Sequence, residues 1–135
     1  MLNEQYEEAV AASIHKFDFH TDSRGSLFVQ DLTNFPVNFV RLFILEGIKK
    51  GSVRGEHAHK ECWLFVFASG SGINLNIKNT SRCDQFFLNR SMGVLIPPYN
   101  WTQVHFKEKN SALYVLASQP YDPNDYIYSE PNPDA

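Results

Sequence analysis

Apolar residues recur along the chain in short runs that predict β-strands over most of its length. Phe17-Asp18-Phe19 alternates apolar and charged positions, and residues 39–45 form a nearly continuous apolar run rich in strand-forming residues. Similar segments follow at short intervals, separated by turn clusters rich in Gly, Ser and Asn. They lie at 26–30, 62–68, 72–78, 84–88, 92–96, 101–106 and 111–117.

Many short strands at regular spacing are typical of an all-β sandwich or barrel, and a jelly roll fits this pattern. With 135 residues, the chain is long enough to form one such domain over residues 1–135. Residues 4–12 predict a short helix or a frayed arm, so that residues 1–14 form an N-terminal arm. Residues 119–126 have turn chemistry and predict a loop packed against the barrel or a partner subunit. Residues 131–135 are expected to form a flexible tail.

Charge and cysteine content limit the kinds of binding partner and the cellular location that we expect. The chain has 12 basic and 15 acidic side chains, and this net charge of -3 gives no support for nucleic-acid binding. No apolar run approaches the length that spans a bilayer, and the acidic start lacks the features of a secretion signal. Cys62 and Cys83 lie in no metal-spaced motif. We therefore expect a cytoplasmic protein with reduced thiols that binds neither nucleic acid nor membrane.

The most informative motif is His57-Ala58-His59. Residues two apart on an extended strand point to the same face of a sheet, so both imidazoles share one cavity. Histidine is the side chain whose pKa lies closest to neutrality, which suits it to metal binding or to proton transfer.

The surroundings of this motif resemble the general sequence pattern of cupins, which are small double-stranded β-helix barrels. In cupins, a glutamate and a later histidine complete a metal site with the two histidines. Here Trp63 stands at the glutamate position and Gln103 at the position of the later histidine. Two imidazoles are too few to hold a first-row metal, so we predict that the barrel is kept and the metal is lost. The framework positions match at Gly51, His57, His59 and Gly70.

A narrower resemblance is to the sugar 3,4-ketoisomerases of the FdtA/QdtA type, also called WxcM-like cupins. It rests on residues 22–27 (DSRGSL), 54–60 (RGEHAHK), 97–101 (PPYNW) and 116–127 (LASQPYDPNDYI). The resemblance implies an isomerase without metal or cofactor that moves the keto group of a dTDP-4-keto-6-deoxyhexose from C4 to C3. Such enzymes supply 3-amino-3,6-dideoxyhexoses for surface glycans such as the O-antigen of lipopolysaccharide. Related cupins are dimers, and we expect a homodimer.

The resemblance carries catalysis onto His57 and His59 by their positions in the HAH motif. The reaction removes the acidic C3 proton, passes through an enediol and adds a proton at C4, which a base with a near-neutral pKa does well. The motif does not indicate which histidine is the base. Many related cupins also use a tyrosine on the preceding strand, where this chain has Phe43. Tyr99, Tyr114 or an ordered water are the alternatives for the second proton donor.

Arginines are the first candidates for binding the substrate, because one or two of them suffice for a compact diphosphate. Arg54 precedes His57 by three residues. Arg24 follows a D-x-R-G turn that contributes to the ligand pocket in related cupins, sometimes across a subunit boundary. Arg41 is in phase with Phe43, so it points inward to a ligand or carboxylate, or marks a partly exposed face. The remaining candidates are Tyr99, Trp101 and Gln103.

Two other functions remain open. The first is a metal-dependent cupin oxygenase or isomerase that combines the two histidines with a third ligand such as His105 or Glu61. The second is a non-catalytic cupin that binds sugars. The motifs are compatible with either a galacto or a gluco configuration of the product at C4.

Overall fold

The structure is a computed structural model that describes residues 3–134. Within this range the strands form two five-stranded antiparallel sheets and one separate hairpin. The first sheet has the order β1 (Ser13–Lys16), β9 (Met92–Ile96), β6 (Leu64–Ala68), β11 (Leu113–Ala117) and β4 (Arg41–Leu45). The second has the order β12 (Tyr126–Ile127), β5 (Val53–His59), β10 (Trp101–Phe106), β7 (Ile73–Lys78) and β8 (Cys83–Leu88). The hairpin pairs β2 (Asp18–Asp22) with β3 (Gly25–Val29).

The two sheets enclose one apolar core. In β7, Ile73, Leu75 and Ile77 are buried between the sheets, whereas Asn74 and Asn76 alternate with them on the outer face. The same alternation along the other strands completes the core with Val66, Ala68, Leu88, Val94, Ile96, Val104, Phe106, Leu113 and Val115. This all-β sandwich is the cupin-type fold that the sequence predicts.

The N-terminal segment forms an arm and not a helix. After a turn at residues 3–5 it runs without regular structure to β1. The Tyr6 hydroxyl donates to the Ser129 carbonyl at 2.6 Å, and Asn100 Nδ2 donates to the Val10 carbonyl at 2.8 Å. These contacts with distant parts of the chain outweigh a weak local helix preference. Of the two alternatives expected at residues 4–12, a short helix or an arm, the structure contains the arm.

The C-terminal segment packs against this arm. Asn3 Nδ2 donates to the Asn132 carbonyl at 3.0 Å, and the Asn132 N–H donates to Asn3 Oδ1 at 2.8 Å. Pro131 is buried. Within the tail expected to be flexible at 131–135, these hydrogen bonds join Asn132 to the arm. Residues 1, 2 and 135 lie outside the described part.

The strands follow the sequence pattern closely, except at the two ends of the chain. The predicted strands at 92–96 and 101–106 have the bounds of β9 and β10. The pattern does not predict β1 and β12, which are short and add to the edges of the two sheets. No helix within residues 3–134 has the length and apolarity to cross a membrane.

Candidate active site

A cavity of about 170 Å³ lies between the two sheets. Much of its wall is apolar and comes from core residues such as Val66, Leu75 and Val115. Such a pocket with a few converging polar groups is typical of a site for a small molecule. The polar or charged side chains in its wall include Arg54, His57, His59, Asn100, Thr102 and Tyr126.

A β-bulge interrupts β5 beside this cavity. Thr102 of β10 pairs with His57, but the next residue, Gln103, pairs with Gly55. Glu56 is therefore an extra residue on β5. The backbone at the bulge adopts positive φ angles, 83° at Gly55 and 62° at Glu56.

The bulge changes which face of the sheet Arg54 occupies. In an uninterrupted strand, Arg54 and His57 are three residues apart and point to opposite faces. One extra residue between them restores the phase, so that Arg54, His57 and His59 all line the cavity. The bulge thus adds a guanidinium to the face that carries both imidazoles.

Replacing Gly55 with alanine tests the bulge. A Cβ at Gly55 would lie 2.8 Å from the carbonyl oxygen of Thr102, whereas a Cβ at Gly51, which also has a positive φ (88°), has no atom within 4 Å. We expect Gly51→Ala to lower the free energy of unfolding by about 1–2 kcal/mol through backbone strain alone. Gly55→Ala should cost at least about 1 kcal/mol more, because the added methyl group is overpacked. Urea denaturation measures both, and equal losses would contradict the close approach to Thr102.

The two imidazoles lie side by side, with ring centroids 5.1 Å apart and planes at 83°. His59 is buried and His57 is half-buried. Burial is the main reason why the pKa of each lies below 6.5, because the charged form loses its hydration. A hydrogen bond to the Gly55 backbone partly offsets this at His57, and Asp125 does so at His59. Both rings are therefore neutral at neutral pH and able to accept a proton.

Asp125 fixes the orientation of His59. Its Oδ2 lies 3.0 Å from His59 Nδ1, and both side chains are only 7% exposed. The same carboxylate accepts the backbone N–H groups of Glu61 at 2.8 Å and Cys62 at 3.2 Å. Since Nδ1 donates to the carboxylate, Nε2 of the neutral ring has a free lone pair. A carboxylate in this position also stabilises the imidazolium that forms when the ring takes a proton.

A turn and a two-residue strand place Asp125 and its neighbour Tyr126. Asp122 caps the 3-10 turn Pro123–Asp125 by accepting a backbone N–H. The chain then enters β12, where Tyr126 pairs directly with His59 of β5. Directly paired residues of antiparallel strands point to the same face, so Tyr126 lies on the cavity side.

Tyr126 contacts both imidazoles. Its ring centroid lies 4.6 Å from that of His57 and 4.5 Å from that of His59. The positive charge of Arg41 acts on its phenol. Burial raises the pKa of the Tyr126 phenol, and Arg41 acts in the opposite direction. Arg41 is itself held by a hydrogen bond from its Nε to the Gln119 carbonyl at 3.3 Å.

Of the three arginines predicted to bind substrate, two lie at this site. Arg54 lines the cavity, and Arg41, which does not line it, lies close enough to Tyr126 and His59 for its charge to lower the pKa of both. Arg24 lies at the tip of the β2–β3 hairpin, away from the cavity of its own chain. Its side chain is 89% exposed and pairs with Asp22 at 2.6 Å.

Tyr99, Trp101 and Gln103 do not line the cavity. Trp101 is buried in a cluster with Ile127 of β12. The ring of Tyr99 lies 6.3 Å from the ring of Tyr6 in the arm. In β10 the intervening residues face the cavity, so Trp101 and Gln103 point outward by alternation. Tyr99 and Trp101 hold the arm and the strand β12 against the barrel.

The residues at the cupin metal positions do not fit a metal ion. The Trp63 side chain packs into an aromatic cluster with Phe35, Phe65 and Leu95, and Gln103 faces outward. Glu61 and His105, the alternative third ligands, do not line the cavity either. The two histidines therefore lack their usual partners on this face.

Within residues 3–134, one group of ligand-type side chains does come together. The ligand atoms of His59, Cys62 and Asp125 lie within 4.8 Å of one another. The oxygens of Asp125 already accept N–H groups from His59, Glu61 and Cys62. These hydrogen bonds account for the arrangement, and we assign Asp125 to orienting His59.

Asp125 and Tyr126 are not among the functional residues that the sequence predicts. Both lie in the segment predicted as a loop, so neither was given a face of a sheet. The available signal was an acidic residue beside an aromatic one, within the tail segment 116–127 that carries part of the family resemblance and directly after Pro-Asn.

The two-sheet barrel, with paired neutral imidazoles and a buried carboxylate at one cavity, defines a cupin with an acid-base site. The sequence model of the family described as WxcM-like, C-terminal (FdtA) matches residues 10–132. The chain belongs to this family.

Several of the similar proteins are sugar ketoisomerases. The chain is 28% identical over 108 residues to a TDP-4-oxo-6-deoxy-alpha-D-glucose-3,4-oxoisomerase of Aneurinibacillus thermoaerophilus, and the match covers 78% of each chain. QdtA, a sugar 3,4-ketoisomerase from Thermoanaerobacterium thermosaccharolyticum solved in complex with TDP, superimposes with a TM-score of 0.80 at 26% identity over 87% of each chain. A 3,4-ketoisomerase from Helicobacter canadensis gives 0.79 at 28% identity, covering 87% of this chain and 90% of the other.

Proposed function

We propose that this protein is a sugar-nucleotide 3,4-ketoisomerase that moves the keto group of a dTDP-4-keto-6-deoxyhexose from C4 to C3. The observation that carries the proposal is the pair of neutral imidazoles, His57 and His59, in one cavity, with Asp125 hydrogen-bonded to the second. Relatives described as 3,4-ketoisomerases, one of them solved with TDP, support the substrate class.

The reaction needs acid-base groups and no external oxidant. The C3 proton is acidic because C3 lies beside the C4 ketone, and an imidazole removes it to give the enediol. The resulting imidazolium returns a proton to C4. Carbon C3 is oxidised and C4 is reduced within one molecule, so electrons balance without a cofactor. The lowered pKa of each ring keeps a base available at neutral pH.

Arginines supply the binding energy for the nucleotide. Arg54 and Arg41 stand at the cavity and suit the diphosphate and the sugar hydroxyls. Arg24, exposed on its hairpin, reaches the cavity of a second subunit in our proposal. Tyr99 and Trp101 act on binding indirectly, by holding β12 against β5, and Gln103 belongs to the outer face of the sheet.

The proposed reaction is tested with dTDP-4-keto-6-deoxyglucose. We expect NMR to show conversion to the 3-keto sugar, with equal rates before and after exhaustive chelation, because the donor set of the cavity does not fit a metal. Activity that disappears on chelation and returns with added metal would support a metal-dependent cupin instead. Binding of dTDP without exchange of the C3 proton would support a non-catalytic sugar-binding protein.

Asparagine at either histidine tests the acid-base assignment. Asparagine keeps much of the volume but does not titrate, so His57→Asn and His59→Asn should each lower kcat at least about a hundredfold. The affinity for dTDP, measured by calorimetry, should change by less than about tenfold. If one variant alone is impaired, that histidine moves the proton and the other orients the substrate. Near-normal turnover in both variants would rule out the mechanism.

We also propose a homodimer formed through the outer face of the first sheet. On its edge strand β4, Leu42 and Ile44 are 55% and 46% exposed, and Val40 beside it is 63% exposed. An exposed apolar stripe of this kind marks an interaction surface, and a two-fold axis pairs the stripe with itself. A dimer also brings the β2–β3 hairpin within reach of a neighbouring subunit.

A charge in this stripe should separate the subunits. Light scattering of the unmodified protein should give twice the 15.5 kDa chain mass, and Leu42→Asp should give the chain mass itself. Phe87→Asp is the control, because Phe87 is 62% exposed on the outer face of the other sheet. A monomeric unmodified protein, or a dimer that tolerates Leu42→Asp, would contradict the proposed interface.

The product class indicates a role in making surface glycans such as the O-antigen, in which a 3-keto sugar accepts an amino group. A cytoplasmic location fits the two free cysteines, Cys62 and Cys83.

A further inference from the structure

Asn100 lies in the wall of the cavity, but its side-chain amide is bonded to other parts of the chain. It is 3% exposed and belongs to the loop between β9 and β10. Its Nδ2 donates to the carbonyls of Val10 at 2.8 Å, Pro97 at 3.0 Å and Pro98 at 3.4 Å, and its Oδ1 accepts from Asn79 Nδ2 at 3.1 Å. An amide has two N–H groups, and these bonds use both. Asn100 therefore has no N–H to offer a ligand, although it lines the cavity.

The bonds of Asn100 join three segments that are far apart in the sequence. Val10 belongs to the N-terminal arm, and Asn79, which is 2% exposed, begins the turn between β7 and β8. Asn79 Oδ1 in turn accepts the backbone N–H groups of Ser81 at 2.8 Å and Arg82 at 3.0 Å. A buried network whose members are all hydrogen-bonded favours a single conformation, because any rearrangement leaves a buried polar group without a partner. The loop at residues 97–100 is therefore fixed from two sides.

The loop that Asn100 fixes is bonded directly to His59. The backbone N–H of Tyr99 donates to the His59 carbonyl at 2.7 Å. Tyr99 has a φ of 63°, which lies in the left-handed region that residues with a Cβ adopt rarely. A strained backbone of this kind persists only where its surroundings enforce it. Here the bonds of Asn100 to the carbonyls of Pro97 and Pro98 do so, and the strained loop aims the Tyr99 N–H at the end of β5.

We propose that Asn100 is a positioning residue for the isomerisation, acting on His59 through the loop, an inference that rests on the proposed ketoisomerase function. His59 is the last residue of β5, where a strand is least constrained by its neighbours. Its ring is held by Asp125 at 3.0 Å, and its backbone is held by the Tyr99 N–H. Both must be fixed for the imidazole to stay in register with the substrate, because a small displacement of a reacting group costs much of the rate.

Replacing Asn100 with alanine tests this role. The variant removes the donor to three carbonyls and allows the strained loop to relax away from His59. We expect kcat to fall at least about tenfold, because the imidazole is displaced. Affinity for dTDP, measured by calorimetry, should stay within about twofold, because Asn100 has no N–H for a ligand. Nitrogen-15 NMR of the His59 ring should change from a neutral form with its proton on Nδ1 to a mixture of the two tautomers.

Leu88→Ala is the control for a general loss of stability. Leu88 is 2% exposed in the core and does not line the cavity. This variant should lower the thermal midpoint, as Asn100→Ala does, but should keep kcat within about twofold and leave the His59 signals unchanged. If Asn100→Ala does not fold, Asn79→Ala is the second variant. It removes the partner of Asn100 Oδ1 alone, and it should change kcat and the His59 signals in the same direction by a smaller amount.

The outcomes separate this role from the proposed function. An inactive unmodified protein would defeat the function, whereas the His59 signals would still test the positioning. A variant at Asn100, or at Asn79 in its place, that is less stable but keeps its kcat and its His59 signals would overturn the proposal. An equal loss of kcat in Leu88→Ala would overturn it as well, because the effect would then follow stability alone. So would a loss of activity that reflects only weaker dTDP binding.

Discussion

An extended strand must alternate its side chains between two faces, and this constraint on β5 determines which groups meet in the cavity. His57 and His59 satisfy it directly. Arg54 satisfies it only because the extra residue Glu56 resets the phase, with Gly55 packed against the carbonyl of Thr102. The strained backbone of the bulge therefore places a guanidinium on the catalytic face. Such strain is common at functional sites.

The short strand β12 completes the site from the other side of β5. Its pairing with β5 brings the Asp125 carboxylate into hydrogen-bond distance of His59 Nδ1 and packs the Tyr126 ring against both imidazoles. A hydrogen bond outside the cavity stabilises the position of β12, because Trp101 Nε1 donates to the Tyr128 carbonyl at 3.3 Å. Contacts outside the cavity thus maintain the burial that keeps the imidazoles neutral, and a residue such as Trp101 affects the site without lining it.

The sequence predicts those parts of the site that follow from regular periodicity. The HAH spacing places His57 and His59 on one face, and Arg41 is in phase with Phe43, as the structure has them. The bulge is not predictable in the same way, because Glu56 is an ordinary residue in a conformation that glycine usually adopts. Arg54 is therefore a substrate-binding candidate because of its guanidinium, and the sequence does not predict the face of the sheet to which it points.

The tail that contains Asp125 and Tyr126, and the segment that contains Trp101 and Gln103, were harder to predict for other reasons. A two-residue strand has no period to detect, so Asp125 and Tyr126 were placed in a loop. Gln103 is a candidate from the spacing of the cupin pattern and Trp101 as an aromatic wall of the pocket, but the alternation of β10 turns both outward. At residues 4–12, contacts with the far end of the chain decide the conformation, and no local pattern records them.

The central claim is that two neutral imidazoles share the cavity and that Asp125 fixes one of them. Nitrogen-15 NMR of the histidine rings across a pH titration measures both the charge and the tautomer of each ring. The account predicts that His57 and His59 titrate below 6.5, as their lowered pKa values require. It also predicts that neutral His59 carries its proton on Nδ1, facing Asp125. Imidazolium rings at neutral pH, or a His59 protonated on Nε2 alone, would contradict it.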